Sequence, residues 1–315
     1  MKKVGMLGVL TNLGTRLYSH NAGWTYVTRS ILSERLGQNV DIVSNTDDFD
    51  KYDALVINEG ANFKPGVFNF FGGVQDRQID SLKKFSAYKG HVLYLNDFAD
   101  YTIPCKKRKD LSDHADLTFP KGRVIDITKY GDSVIVGDSH SISAWEPSRT
   151  INRLDGKTLN GALKIGLKNL IPTKNQKNVQ FYFGNIDVRH HLIRLEASVK
   201  ELADRYITEA SKYNAKIYEL LPIEHESRKL PQSGYYKGQP YWGSWQQRTD
   251  IRNEFNDYIE KQYGIIIWTD KLLNKAGELD FKYMEKPKSI HLSREFYPYW
   301  NGIETINNNT LEEFF

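Results

Sequence analysis

The feature that most constrains this chain is an alternation of short apolar runs with amphipathic stretches, met twice along its length. Residues 4–10 form an apolar run of strand length, 24–36 carry helical periodicity, and 39–44 and 54–58 again read as strands. The segment 78–88 is a helix that turns Ile79, Leu82, Phe85 and Ala87 to one side, and 91–95 is a further strand. When single helices separate the strands, each helix carries the chain back along the sheet. The strands must then run parallel, with helices on the sheet's faces.

The pattern breaks between residues 105 and 131, where the basic run Lys106-Lys107-Arg108-Lys109 is followed by Asp110, Asp113 and Asp116. It then resumes with strands expected at 133–136, 179–183, 216–221 and 265–268, and helices at 161–170, 192–213 and 247–263. A chain of 315 residues exceeds what one hydrophobic core usually serves. We therefore expect a Rossmann-like domain over 1–105, a linker over 106–130, a second α/β domain over 131–302 and a short tail over 303–315. Within the second domain, the Pro/Gly/Tyr/Trp-rich stretch 222–245 is expected to cover a site, because loops beyond the C-terminal ends of parallel strands bind ligands.

Composition narrows the class. Apolar residues at 40% and charged residues at 26% exclude disordered, collagen-like and disulfide-rich chains. The single Cys105 cannot form an internal disulfide, which fits a reducing, cytosolic setting. No apolar run reaches membrane-spanning length, and the first strand runs into polar Thr11-Asn12, so neither a membrane span nor a signal peptide is expected. A net charge of +4 permits an anionic partner such as DNA without requiring one. The nineteen tyrosines, fifteen phenylalanines and six tryptophans are of the kind that line sugar or base sites as well as cores.

Three local sequences carry chemistry. In the first, the apolar strand Val134-Ile135-Val136 ends in Gly137-Asp138-Ser139, which presents a serine hydroxyl at the crevice. The second, Phe183-Gly184-Asn185-Ile186-Asp187, again ends a strand in glycine followed by polar groups, with Arg189 and the pair His190-His191 just beyond. The third is His291, near the end of the chain. A serine hydroxyl is a weak nucleophile until a base takes its proton, so Ser139 with His291 as base is the pair that acyl-transfer chemistry requires. Asp187 and Arg189 read equally as a local ion pair. The His190-His191 pair lacks the companion ligands of a metal site, and we expect neither a metal nor another cofactor.

In this order the three blocks resemble the SGNH (GDSL-type) hydrolase superfamily over roughly residues 131–300. The resemblance implies a flavodoxin-like α/β/α sandwich with Ser139 as nucleophile and His291 as base. It further implies oxyanion and substrate contacts from Gly137, Asp138, Gly161, Gly184, Asn185 and Arg189. Two positions depart from the family. Lys288 stands where an orienting aspartate usually precedes the histidine, and Ile186 stands where the oxyanion asparagine usually falls, leaving Asn185 displaced by one. A dyad, a substitute acid such as Asp187, and a site that has lost hydrolysis all remain open.

The first half resembles, over residues 39–104, the N-terminal lobe of bacteriophage DNA β-glucosyltransferases, through Asn69-Phe70-Phe71-Gly72-Gly73 and through Asp97 at a strand end. This implies cleft-facing roles for Asn69, Phe70 and Asp97. The expectation is an α/β chain of two mainly parallel sheets that acts as a serine esterase or acyltransferase on an acylated sugar or modified nucleotide. The alternatives are a phage-type DNA base-modifying transferase and a non-catalytic carbohydrate- or DNA-binding module.

Overall fold

Parallel pairing joins every strand of the two main sheets, and the one antiparallel ladder among the described residues is a short hairpin, Phe63–Lys64 with Val67–Phe68. The structure is a computed structural model describing residues 2–7, 23–43, 48–57, 63–64, 67–68, 83–96, 122–126, 132–146, 149–154, 156–172, 177–224, 242–284, 290–293 and 296–297. It divides into two compact units, one within Met1–Tyr130 and the other over Gly131–Trp300. Among the described residues, no helix is long and apolar enough to cross a membrane.

The first unit runs β1 (Val4–Leu7), α1 (Gly23–Leu36), β2 (Val40–Val43), β3 (Ala54–Ile57), β4 (His91–Asn96) and β5 (Arg123–Asp126), with the sheet order β2-β1-β3-β4-β5. All four residues of β1 and of β3 are buried, as a parallel strand covered on both faces requires. Val27, Ile31, Leu32 and Leu36 bury one stripe of α1 at helical spacing. The Rossmann-like expectation becomes, in strand order, the doubly wound 2-1-3-4-5 arrangement. Residues 123–126, expected to be linker, instead form β5, with Leu93 of β4 opposite Arg123. Arg123 and Asp126 flank only two apolar residues, so periodicity could not separate this strand from the charged segment before it.

The second unit runs β6 (Ser133–Gly137), β7 (Thr150–Arg153), α2 (Leu159–Ile165), β8 (Asn178–Tyr182), α3 (Val199–Ser211), β9 (Lys216–Ile217) and α4 (Trp245–Gln262). Its sheet order is β7-β6-β8-β9, and a parallel bridge from Tyr218 to Ile266 adds a fifth position. This is again the flavodoxin-like 2-1-3-4-5 order, and its switch point falls between β6 and β8. The helix expected over 192–213 is broken: a π-turn, Asp187–His191, runs into Leu192–Arg194, and Ser198 then starts α3 by accepting the Glu201 N–H at 3.2 Å. The expected strand at 265–268 reduces to the bridge at Ile266. β7 escapes sequence reading because Thr150, Asn152 and Arg153 leave Ile151 as its only aliphatic residue.

Candidate active site

β6 ends in Gly137, and only glycine fits there, because a Cβ would collide with the Tyr182 carbonyl oxygen of β8. Asp138 N–H then donates to that same carbonyl at 3.1 Å. The Asp138 carboxylate caps a 3-10 turn, Ser139–Ala144, by accepting the His140 N–H at 2.9 Å. The hydroxyls of Ser141 and Ser143 donate to the carbonyls of Asp138 and His140, each at 2.7 Å. The turn is thereby tied down from within. Ser139 is its one residue that is not buried.

His291 arrives from 152 residues away and places Nε2 at 2.9 Å from Ser139 Oγ. The two residues singled out in the sequence as nucleophile and base are therefore within hydrogen-bond reach. They sit at the switch point of the sheet, where folds of this order bind ligands.

β8 runs into Gly184, whose φ of +118° suits glycine and where an added Cβ would lie 3.3 Å from Leu220. Asn185 follows, with Oδ1 accepting from Leu221 N–H at 3.1 Å and from Arg189 Nη1 at 3.3 Å. These bonds orient the amide and place its buried Nδ2 beside the Tyr182 hydroxyl, whose charged form it favours. Asp187 is buried, and its two oxygens accept the N–H groups of Leu159 at 2.6 Å and Asn160 at 3.3 Å. Burial pushes its carboxyl up to about 7, against the pull of those two donors. Asp187 thus anchors the start of α2.

Arg189 is also buried. It donates to Glu224 at 2.8 Å, to the Asn185 carbonyl at 3.0 Å and to the Pro222 carbonyl at 2.9 Å. The local Asp187–Arg189 ion pair open from the sequence gives way to these separate engagements. Arg189 joins the residues after β8 to those after β9 instead of facing solvent. Gly161 N–H donates to Thr158 Oγ1 at 3.0 Å within the first turn of α2, so that amide is already taken. Asp138, expected among the substrate contacts, turns its carboxylate into its own buried turn. Asn69, Phe70, Asp97 and Lys288 lie outside the described residues. Among the described residues no group of three His, Cys, Asp or Glu side chains is placed to hold a metal ion.

One side chain that sequence reasoning passed over stands beside the pair. His140 is buried, its Nδ1 lies 3.1 Å from Asp138 Oδ1, and its ring centroid is 4.9 Å from that of His291. Burial holds its imidazole below the usual histidine range, against the raising effect of Asp138. The available signal was its place directly after Ser139.

No family model matches the chain, and no curated protein matches it. Among solved structures, it is similar to "a putative platelet activating factor" from Streptococcus pneumoniae, at 18% identity and TM-score 0.38 over 54% of this chain and 79% of that one. It is also similar to "a putative lipolytic protein of G-D-S-L family" from Desulfitobacterium hafniense, at 13% identity and TM-score 0.36 over 53% and 94%. A third is the OSK domain of Drosophila Oskar, at 16% identity and TM-score 0.31 over 56% and 85%. None of these is a glucosyltransferase, and the likeness read in the first half gains no support from them. With likenesses this low, the reading of function rests on the geometry of Ser139 and His291.

Proposed function

We propose that the second unit is a serine hydrolase or acyltransferase of SGNH type, and that its substrate is a carboxylic ester carried on a sugar or modified nucleotide. The observation that carries this reading is the 2.9 Å approach of His291 Nε2 to Ser139 Oγ at the switch point of a doubly wound parallel sheet. In the reaction, Ser139 Oγ attacks the ester carbonyl while its proton passes to His291 Nε2. The tetrahedral oxyanion is held by the Ser139 N–H, at the start of the 3-10 turn, and by Asn185 Nδ2. His291 returns the proton to the leaving alkoxide. Water, or an acceptor hydroxyl, then takes the acyl group from Ser139.

A fluorophosphonate probe tests the reading directly. It should label the wild-type chain at Ser139, and p-nitrophenyl acetate or an acetylated sugar should be turned over. A chain that neither labels nor turns over any acyl ester would overturn the proposal.

A further inference from the structure

A base that takes the serine proton on Nε2 must already carry its own proton on Nδ1, and in a triad a carboxylate accepts that Nδ1–H and steadies the imidazolium. Asp187, the substitute considered for this task, is engaged by the amides that open α2. The Ser139 turn holds an alternative. Asp138 is fully buried, and its Oδ1 lies 3.1 Å from Nδ1 of His140, which fixes the His140 proton on Nδ1 and leaves Nε2 as a lone-pair acceptor. That Nε2 is buried and has no partner among the described residues. Unpaired buried acceptors are costly, and they concentrate where function needs them.

The ring of His140 packs against His291 at a centroid separation of 4.9 Å and a tilt of 47°. An N–H···N bond of about 2.9 Å between two imidazoles sets their centroids roughly 5 Å apart, the separation found here. The groups that act on His140 are Asp138, which favours its charge, and His291 and Arg189, which oppose it.

We propose that Asp138 and His140 are positioning residues that replace the orienting acid, with His140 Nε2 accepting the Nδ1 proton of His291 in a hydrogen bond when that ring becomes charged. This rests on the hydrolase reading for its catalytic meaning. No proton leaves His291 toward His140: Oγ–H breaks, Nε2–H forms on His291, and the Nδ1–H of His291 is retained as a hydrogen-bond donor. The Asp138 charge acts through the polarised His140 ring.

The test is an NMR titration of the His291 ring in the full chain, for wild type, Asp138→Asn and His140→Gln. Asparagine still caps the turn by accepting the His140 N–H, so Asp138→Asn should fold, and thermal melting of both variants verifies this. Loss of the negative charge, or of the ring that relays it, should lower the His291 protonation midpoint by roughly one unit in both variants. The acid limb of the esterase pH profile should move the same way, with a loss in kcat of about tenfold or more and little change in KM. Midpoints equal to wild type in a folded variant would overturn the proposal. Because the titration needs no turnover, it reads the His140–His291 coupling even if fluorophosphonate labelling fails, and that failure would sink the hydrolase reading alone.

Discussion

In the first unit, the described buried polar side chains are the neutral Thr28, Ser30, Ser33 and Gln38, whereas the second unit, wound in the same strand order, buries Asp138, His140, Asp187, Arg189, Glu219 and Glu224. The order itself needs only apolar strands and helix stripes, which both units have. Burying a charge costs several kcal/mol unless partners replace its water. In the second unit those partners are found: Arg189 with Glu224 at 2.8 Å, Glu219 with Arg252 at 2.8 Å, and Asp187 with the amides of α2. They cluster after β8 and β9, on the chain segments that follow the strands around Ser139. The same winding is thus built around neutral buried polar groups among the described residues of one unit and around buried charge in the other.

The sharpest way to break this contrast is Ser139→Ala. Turnover of an acyl ester should fall by about a thousandfold or more, with thermal melting unchanged, because the side chain is only partly buried. Retained turnover in a folded variant would remove Ser139 from the chemistry. Glu224→Ala tests the buried charges themselves. Stranding Arg189 should cost about 3–5 kcal/mol in chemical denaturation. A cost below about 1 kcal/mol would mean that water already reaches the pair. As the matching change in the first unit, Leu55→Ala should cost about 2–5 kcal/mol by opening a cavity, yet leave the turnover of a small ester per folded molecule unchanged.

A smaller effect should come from Asp187. Its carboxyl is pushed by burial from 3.8 up to about 7, so between those values the folded chain binds more protons than the unfolded one. The contribution of the protonated form is therefore fully present below about pH 3.8 and is lost as pH rises through about 7. Denaturation curves across this window should show wild-type stability falling with pH more steeply than that of Asp187→Asn. Parallel slopes would show that the carboxyl titrates normally. The smallest change is Ser244→Ala, which removes one half of the capping box with Gln247 at the start of α4 and should cost about 1 kcal/mol, read as a shift in the denaturation midpoint.

The sequence made much of this architecture legible because parallel strands buried on both faces are written as continuous apolar runs. β1, β3, β6 and β8 could be located to within a residue or two where their ends are described. Strands with mixed residues were not legible: β5 was hidden beside a charged segment and β7 holds a single aliphatic side chain. Helix breaks were equally silent. The interruption between Asp187 and Ser198 follows from a π-turn held by tertiary bonds, and nothing in the local periodicity of 192–213 signals it.

The site divides in the same way. From the sequence alone came the residue types and their order: a serine one residue past Gly-Asp at a strand end, a polar turn after a second strand, and a histidine late in the chain. Local chemistry specifies these, since glycine at 137 and 184 and an acid ahead of a serine are choices made over a few residues. Tertiary structure alone decided that His291 meets Ser139 at 2.9 Å across 152 residues, that Asp187 anchors α2, that Arg189 pairs with Glu224, and that His140 packs on His291. Arg189 and Glu224 meet through the pairing of β8 with β9, and the other contacts likewise join segments far apart along the chain. Their distances are set by sheet geometry and burial, which spacing along the chain does not encode.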